Sequence, residues 1–189
     1  EEIILVRQPG GPVGEGRRQS YTMRDVPGEG VILPPNLVPI PVARPGYALM
    51  LAWTGFLPST PGGIIELNRA QSIDEFDATI EGQGSLNFNF IAADATGITY
   101  KVGVRVPARD LSTGIAPWYI LDGDDPNSFW TDNFLRPDQK PASRGTERGW
   151  LNTSNNDPFG FTEDGDPAND PWYYGAYYSP GWRAARVAQ

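Results

Sequence analysis

The sequence predicts an α+β fold, mostly antiparallel β-sheet with a few short helices. Three observations point there. Short runs of β-branched and aromatic residues recur through the 189 residues, punctuated by 22 Gly and 19 Pro, as strands separated by tight turns require. Two such runs flank Asp94-Ala95-Thr96-Gly97, whose Gly can take the positive φ of a hairpin turn. Helical periodicity is confined to brief stretches, the clearest opening at Ser72.

In chain order, Ile3-Ile4-Leu5-Val6-Arg7 suits a buried strand, and Arg17 to Arg24 returns as its hairpin partner across the turn Gln8 to Pro12. Gly30-Val31-Ile32-Leu33 is a short strand. Pro at 34, 35, 39, 41 and 45 hold the next stretch extended without ladder bonds. Tyr47 to Trp53 is apolar on both faces and reads as a central strand covered on both sides.

Gly63 to Ala70 fits two helical turns. Ser72-Ile73-Asp74-Glu75 has the form of a capping box, with Ile73, Phe76 and Ile80 on one face and Gly82 and Gly84 to end the helix. Leu86 to Ala92 and Ile98 to Val106 form the hairpin strands, the second stopped by Pro107. From Asp110 to Arg148 the chain is irregular, anchored by aromatics such as Trp118 and Trp130, and a loop of that length hides short elements or serves a function. Gly149 to Pro158 starts as a strand at Trp150 and Leu151, then carries Asn152, Asn155 and Asn156 before Asp157-Pro158. The residues from Gly181 to Gln189 resemble the first turns of a helix.

A length of 189 residues favours a single unit, 1–189. The net charge of -8 and the absence of a basic stripe exclude a phosphate-backbone partner, so no nucleic acid is expected. No apolar run approaches the roughly 20 residues of a membrane span, and no membrane partner is expected. With no Cys and no His, thiol chemistry, zinc-thiolate sites and a Ser-His-Asp triad are excluded, so any catalysis needs another proton carrier.

Four blocks, in order, resemble the penicillin acylases, amidases of the N-terminal nucleophile hydrolase superfamily. They are Ala52-Trp53-Thr54-Gly55; Asn89 to Ile98, continued by Gly103 to Arg109; Gly149 to Pro158, ending in Asn-Asn-X-Pro; and Tyr178 to Val187, an Arg-bearing helix start. The resemblance implies that the fold is part of a layered αββα core. It implies an enzyme that matures by autoproteolytic processing and hydrolyses an acyl-amide bond. Its nucleophile would be the new N-terminal residue of the large subunit, with that residue's α-amine as base, a group that titrates near neutrality and needs no His.

In that family pattern the first Asn of the pair, here Asn155, donates to the oxyanion, and Arg183 organises the site. The chain opens on Glu1, without the nucleophile. The resemblance therefore implies an internal fragment of the large subunit, inactive alone, whose partners are the small subunit, the start of the large subunit and a small acyl-amide substrate. No cofactor is implied for chemistry. A structural calcium is, with Asp170 as a carboxylate ligand and Pro117 as a carbonyl ligand, and so is a periplasmic or secreted location.

The residues alone leave other readings open. Asn155 fits a turn that satisfies its own backbone, and Arg183 fits a solvated position at a helix start. The aromatics fit a core. A non-catalytic β-rich module, binding carbohydrate or peptide through Trp118, Trp130 and Trp172, is the alternative function.

Overall fold

The computed structural model describes residues 2–6, 16–35, 46–57, 62–82 and 87–189; the predicted extended run beyond Pro35 and the helix stop at Gly84 lie outside them. Internal contacts divide the chain into two compact units, Glu1–Phe56 and Leu57–Gln189. This is a finer division than the one unit expected from length. The α+β class holds: eight short strands in three antiparallel sheets accompany three short α-helices among the described residues. None of those helices is long and apolar enough to cross a membrane.

In the first unit, β1 (Glu2–Val6) and β2 (Arg17–Tyr21) pair as the predicted hairpin, Glu2 opposite Tyr21 and Val6 opposite Arg17. A second sheet has the order β3 (Arg24–Val26), β4 (Gly30–Ile32), β5 (Met50–Leu51). Gly30 is required there, because a Cβ would come within 2.3 Å of the Leu51 carbonyl oxygen.

The expectation of a central strand over Tyr47 to Trp53 fails. Among the described residues only Met50 and Leu51 pair in a ladder, on one side, and Tyr47, Leu51 and Trp53 are exposed. The neighbour β4 is only three residues long, so the ladder ends early. Trp53 instead meets the Phe56 ring edge-on at 5.3 Å, within the 310 turn Thr54–Phe56.

The second unit is built on the sheet β6 (Phe88–Asp94), β7 (Gly97–Gly103), β8 (Ala142–Arg144), with β7 in the middle. The predicted turn stands, with Asp94 opposite Gly97. Helix α1 is Gly63–Leu67 and α2 is Ile73–Gly82; α2 packs on β7 and β6. Its predicted face is the buried one, with Ile73 3% and Ile80 1% exposed, each worth about 1.5–3 kcal/mol of burial.

The capping box forms by half. The Glu75 amide donates to Ser72 Oγ at 3.2 Å, but the Glu75 carboxylate accepts from the Gln71 amide. Asp94 completes the helix start from outside. Its Oδ2 accepts from the Ile73 amide at 3.0 Å, while Oδ1 takes the Thr96 hydroxyl and the Thr96 and Gly97 amides. The hydroxyl bond from Thr96, followed by the Ile73 and Thr96 amides, lowers the Asp94 pKa from 3.8 to about 2. One carboxylate thus closes the hairpin and docks the helix.

Alternation along the strands separates two faces. Phe90, Thr99 and Arg144 face α2: Phe76 meets Phe90 edge-on, Thr99 donates to Asp77 at 2.9 Å, and Arg144 pairs with Asp74 and Asp77. Asn89, Tyr100 and Val102 face the other way, toward the loop-rich C-terminal third. The predicted irregular stretch holds short 310 turns at Leu111–Thr113, Pro126–Ser128 and Pro137–Gln139. The first two are capped by Asp110 and Asp125.

Candidate active site

Trp150 and Leu151 form no strand, contrary to the apolar start of their segment. Turn chemistry overrides that short pair. Gly149 has φ +73, the Thr146 hydroxyl donates to the Trp150 carbonyl, and from Asp157 on the chain folds around one carboxylate. Asp157 accepts from the amides of Phe159, Gly160 and Thr162 and from the Thr162 hydroxyl. Burial opposes its ionisation, but the Thr162 hydroxyl and the surrounding amides prevail and hold its pKa below 3.8.

Between these turns sits Asn155, with φ +60, a left-handed conformation that Asn tolerates. Its backbone carbonyl accepts from the Ser179 amide at 2.6 Å. Its side-chain Oδ1 accepts from Arg183 Nη2 at 2.5 Å, and the same nitrogen donates to the Ser154 carbonyl at 2.9 Å. Arg183 stands at the start of helix α3 (Trp182–Val187), which a second Asn ties down: Asn152 Nδ2 donates to the Ala184 carbonyl at 3.1 Å. The two residues singled out in separate blocks therefore touch, across 28 positions of sequence.

The contact orients the amide. A guanidinium only donates, so the atom it meets must be the Asn oxygen. Asn155 Nδ2 then remains a donor with no hydrogen bond among the described residues. Asn156, by contrast, spends both ends locally, accepting from the Ser154 amide at 3.1 Å and donating to the Asp157 carbonyl at 3.0 Å.

Asn155 is exposed, and it lines a cavity of about 260 Å³. The other walls mix apolar residues, Val102, Val104, Val106 and Phe161, with polar-tipped ones, Asn156, Tyr174 and Tyr178. Asn89 also lines it and donates to the Thr153 hydroxyl at 3.3 Å, joining β6 to the Asn-rich segment. Tyr100, 3% exposed, stands between this cavity and a larger one of about 710 Å³ bordered by Trp150, Asn152 and Ala184. The Tyr100 hydroxyl is buried without a partner; burial, then the Asp157 charge, pushes its pKa up to about 12. Burial also raises that of Tyr178. Both phenols are therefore neutral at physiological pH. Tyr100 was missed in sequence, although its place on the inward face of a hairpin strand was a usable signal.

Asp170 is half-buried, and its pKa is raised by that burial and then by Asp164, Asp157 and Asp166. That field would attract a cation. Yet no three acidic side chains gather to hold a metal among the described residues, far from the six to eight oxygens calcium takes. Pro117 is half-buried. Among the tryptophans, Trp118 lies against Tyr173 at 5.9 Å, Trp130 lies under Arg109 at 5.8 Å, and Trp172 is half-buried.

Comparison with known proteins gives this arrangement a context. The pattern of the penicillin amidase family matches residues 3–189. Acyl-homoserine lactone acylase QuiP of Pseudomonas aeruginosa, strain PAO1, is 31% identical over 133 residues, which are 69% of this chain and 14% of that protein. The chain thus spans a small part of the length of that relative. With 187 of its 189 residues inside the family pattern (3 to 189 inclusive), the chain belongs to the penicillin amidase family.

Proposed function

We propose that the protein carrying this chain is an amidohydrolase that cleaves acyl-amide bonds, and that this chain supplies its oxyanion donor. One observation carries the reading: Arg183 holds Asn155 Oδ1, which leaves Nδ2, unbonded among the described residues, as an oriented donor beside a cavity walled by valines and aromatics. A donor fixed in advance costs no reorganisation as charge develops, the condition under which such groups are worth most. The name of the relative makes N-acyl homoserine lactones one candidate substrate, and the name of the family makes a penicillin amide another.

The proposed steps follow from these groups. A nucleophilic hydroxyl on sequence outside this chain adds to the amide carbonyl carbon, and its proton passes to the adjacent α-amine. The carbonyl oxygen becomes an oxyanion that accepts from Asn155 Nδ2. Collapse of that intermediate breaks the C–N bond, and the amine leaves with the proton. Water then releases the acyl group by the same route. Arg183 is a positioning residue, and the 260 Å³ cavity receives the acyl chain, whose burial against Val102, Val104 and Phe161 supplies binding energy.

The nucleophile, the self-cleavage that exposes it, a periplasmic or secreted location and a calcium shared between Asp170 and groups elsewhere belong to the same proposal. No step above needs the calcium. The test is kinetic. In the mature protein, Asn155→Ala lowers kcat for acyl-amide hydrolysis by about 10²–10³ with KM little changed; an unaltered kcat overturns the assignment.

A further inference from the structure

Three residues border both the cavity of about 260 Å³ beside Asn155 and the larger one of about 710 Å³: Tyr100, Asn156 and Pro158. Asn156 and Pro158 belong to the turn around Asp157, and the Asn156 side chain is spent on the Ser154 amide and the Asp157 carbonyl. The large side chain in the partition is therefore the Tyr100 ring. Its mount is rigid. Tyr100 sits in the middle strand, opposite Ile91 of β6 on one side and Ser143 of β8 on the other, so its backbone cannot yield without breaking both ladders. On the side of the larger cavity the ring meets that of Phe159 at 5.7 Å, and the Phe159 amide is held by Asp157. The Tyr100 hydroxyl has no hydrogen-bond partner among the described residues. Shape and packing, rather than a bond from its tip, keep this ring, 3% exposed, between the two spaces.

We propose that Tyr100 is a specificity-determining residue: its ring ends the acyl cavity and restricts the substrate to short acyl groups. This role rests on the amidase reading of the smaller cavity. A space of about 260 Å³ lies just below the roughly 300–1,000 Å³ usual for pockets that enclose a drug-sized ligand. The acyl group that fills it is short, and a longer one meets the ring before its last methylenes are buried. Each methylene buried strengthens binding about fourfold, while those stopped at the ring add nothing. Without the ring the smaller cavity opens into the larger one, and the chain has room to continue past Phe159.

Binding and hydrolysis test it together, in the mature protein. Dissociation constants of linear fatty acids from butanoate to dodecanoate should fall about fourfold per added methylene and then stop falling before dodecanoate is reached. In Tyr100→Ala and Tyr100→Leu the fall should continue to dodecanoate, and kcat/KM for the matching N-acyl amides should follow the same course. Tyr100→Phe rebuilds the wall and should restore the parental break. A parent that binds none of the acids, or whose affinity rises unbroken to dodecanoate, overturns the role of Tyr100, and that measurement needs no variant to fold. A break that persists in the folded Ala and Leu variants overturns it too. Binding with the expected break but without amide hydrolysis would sink only the amidase reading; hydrolysis indifferent to chain length would sink only the role of Tyr100.

Discussion

The Asn155–Arg183 contact can be separated into its parts by a double-mutant cycle in the mature protein. Asn155→Ala removes the proposed oxyanion donor, a group of a kind worth about 2.7–4 kcal/mol, or 10²–10³ in kcat. Arg183→Leu removes two bonds, 2.5 Å to Asn155 Oδ1 and 2.9 Å to the Ser154 carbonyl. Both partners are exposed or half-buried, so folding should lose under about 1 kcal/mol. The catalytic loss is different in kind. Without the guanidinium the amide can rotate by half a turn and present its oxygen to the developing oxyanion.

If both orientations become equally populated, kcat falls about twofold; if the flipped one dominates, the loss approaches that of the Ala variant. A fall of about 10–10² is therefore expected from Arg183→Leu. In the Asn155→Ala background there is no amide left to orient, and adding Arg183→Leu should change kcat by less than about twofold. The coupling energy would then be about 1–2.5 kcal/mol. Single-turnover kinetics on an acyl-amide substrate read all four corners, with thermal melting to confirm folding. Additive losses would show that Arg183 acts on the substrate or the nucleophile by itself. A kcat for Asn155→Ala within threefold of the parent would refute the oxyanion assignment outright.

Four other outcomes follow from particular contacts. Asp94 has a folded pKa of about 2 against 3.8, so its contribution is complete above the unfolded value and disappears as pH falls through the folded one. Urea midpoints of the parent should exceed those of Asp94→Asn by a constant amount near neutrality, and the gap should close between about pH 4 and 2; a gap independent of pH would refute it. Ile80→Ala, at a side chain 1% exposed, should cost about 2–5 kcal/mol by urea unfolding. Tyr100→Phe deletes a buried hydroxyl without a partner and should leave stability unchanged or raise it by about 1 kcal/mol; a loss above about 1 kcal/mol would show that the hydroxyl acquires a partner in the intact protein. The isolated chain should release no amine from acyl-amide substrates, and turnover without an added partner would refute the need for an external nucleophile.

What was legible in the sequence was local. The Asp94–Gly97 hairpin and the Ile73–Phe76–Ile80 face of α2 depend on turn chemistry and periodicity within a few residues, and both stand. The bond between Asp94 and the Ile73 amide spans 21 positions and left no sequence pattern. Glu75 likewise serves Gln71 rather than its expected partner. The stretch Tyr47 to Trp53 misled for a different reason: apolarity records that a surface is to be covered, without saying by what. Among the described residues of the first unit only β4 pairs with it.

The Asn-rich segment combines both cases. As a bare sequence, Asn155 offered two competing readings, a turn residue occupied with its own backbone or a donor aimed at substrate. In the structure these are consecutive consequences of one conformation. The left-handed backbone at φ +60 gives the carbonyl to Ser179 and brings Oδ1 to Arg183, so the acceptors are spent within the fold. Of the side-chain atoms only Nδ2 remains unspent among the described residues, and it is the side-chain atom of Asn155 that an oxyanion can use. The turn is therefore the means by which the donor is oriented, and a substitution that kept an amide but relaxed the turn, such as Asn155→Gln, should lose most of the activity that Asn155→Ala loses. If Gln restored parental kcat, orientation by this turn would not be what the site requires.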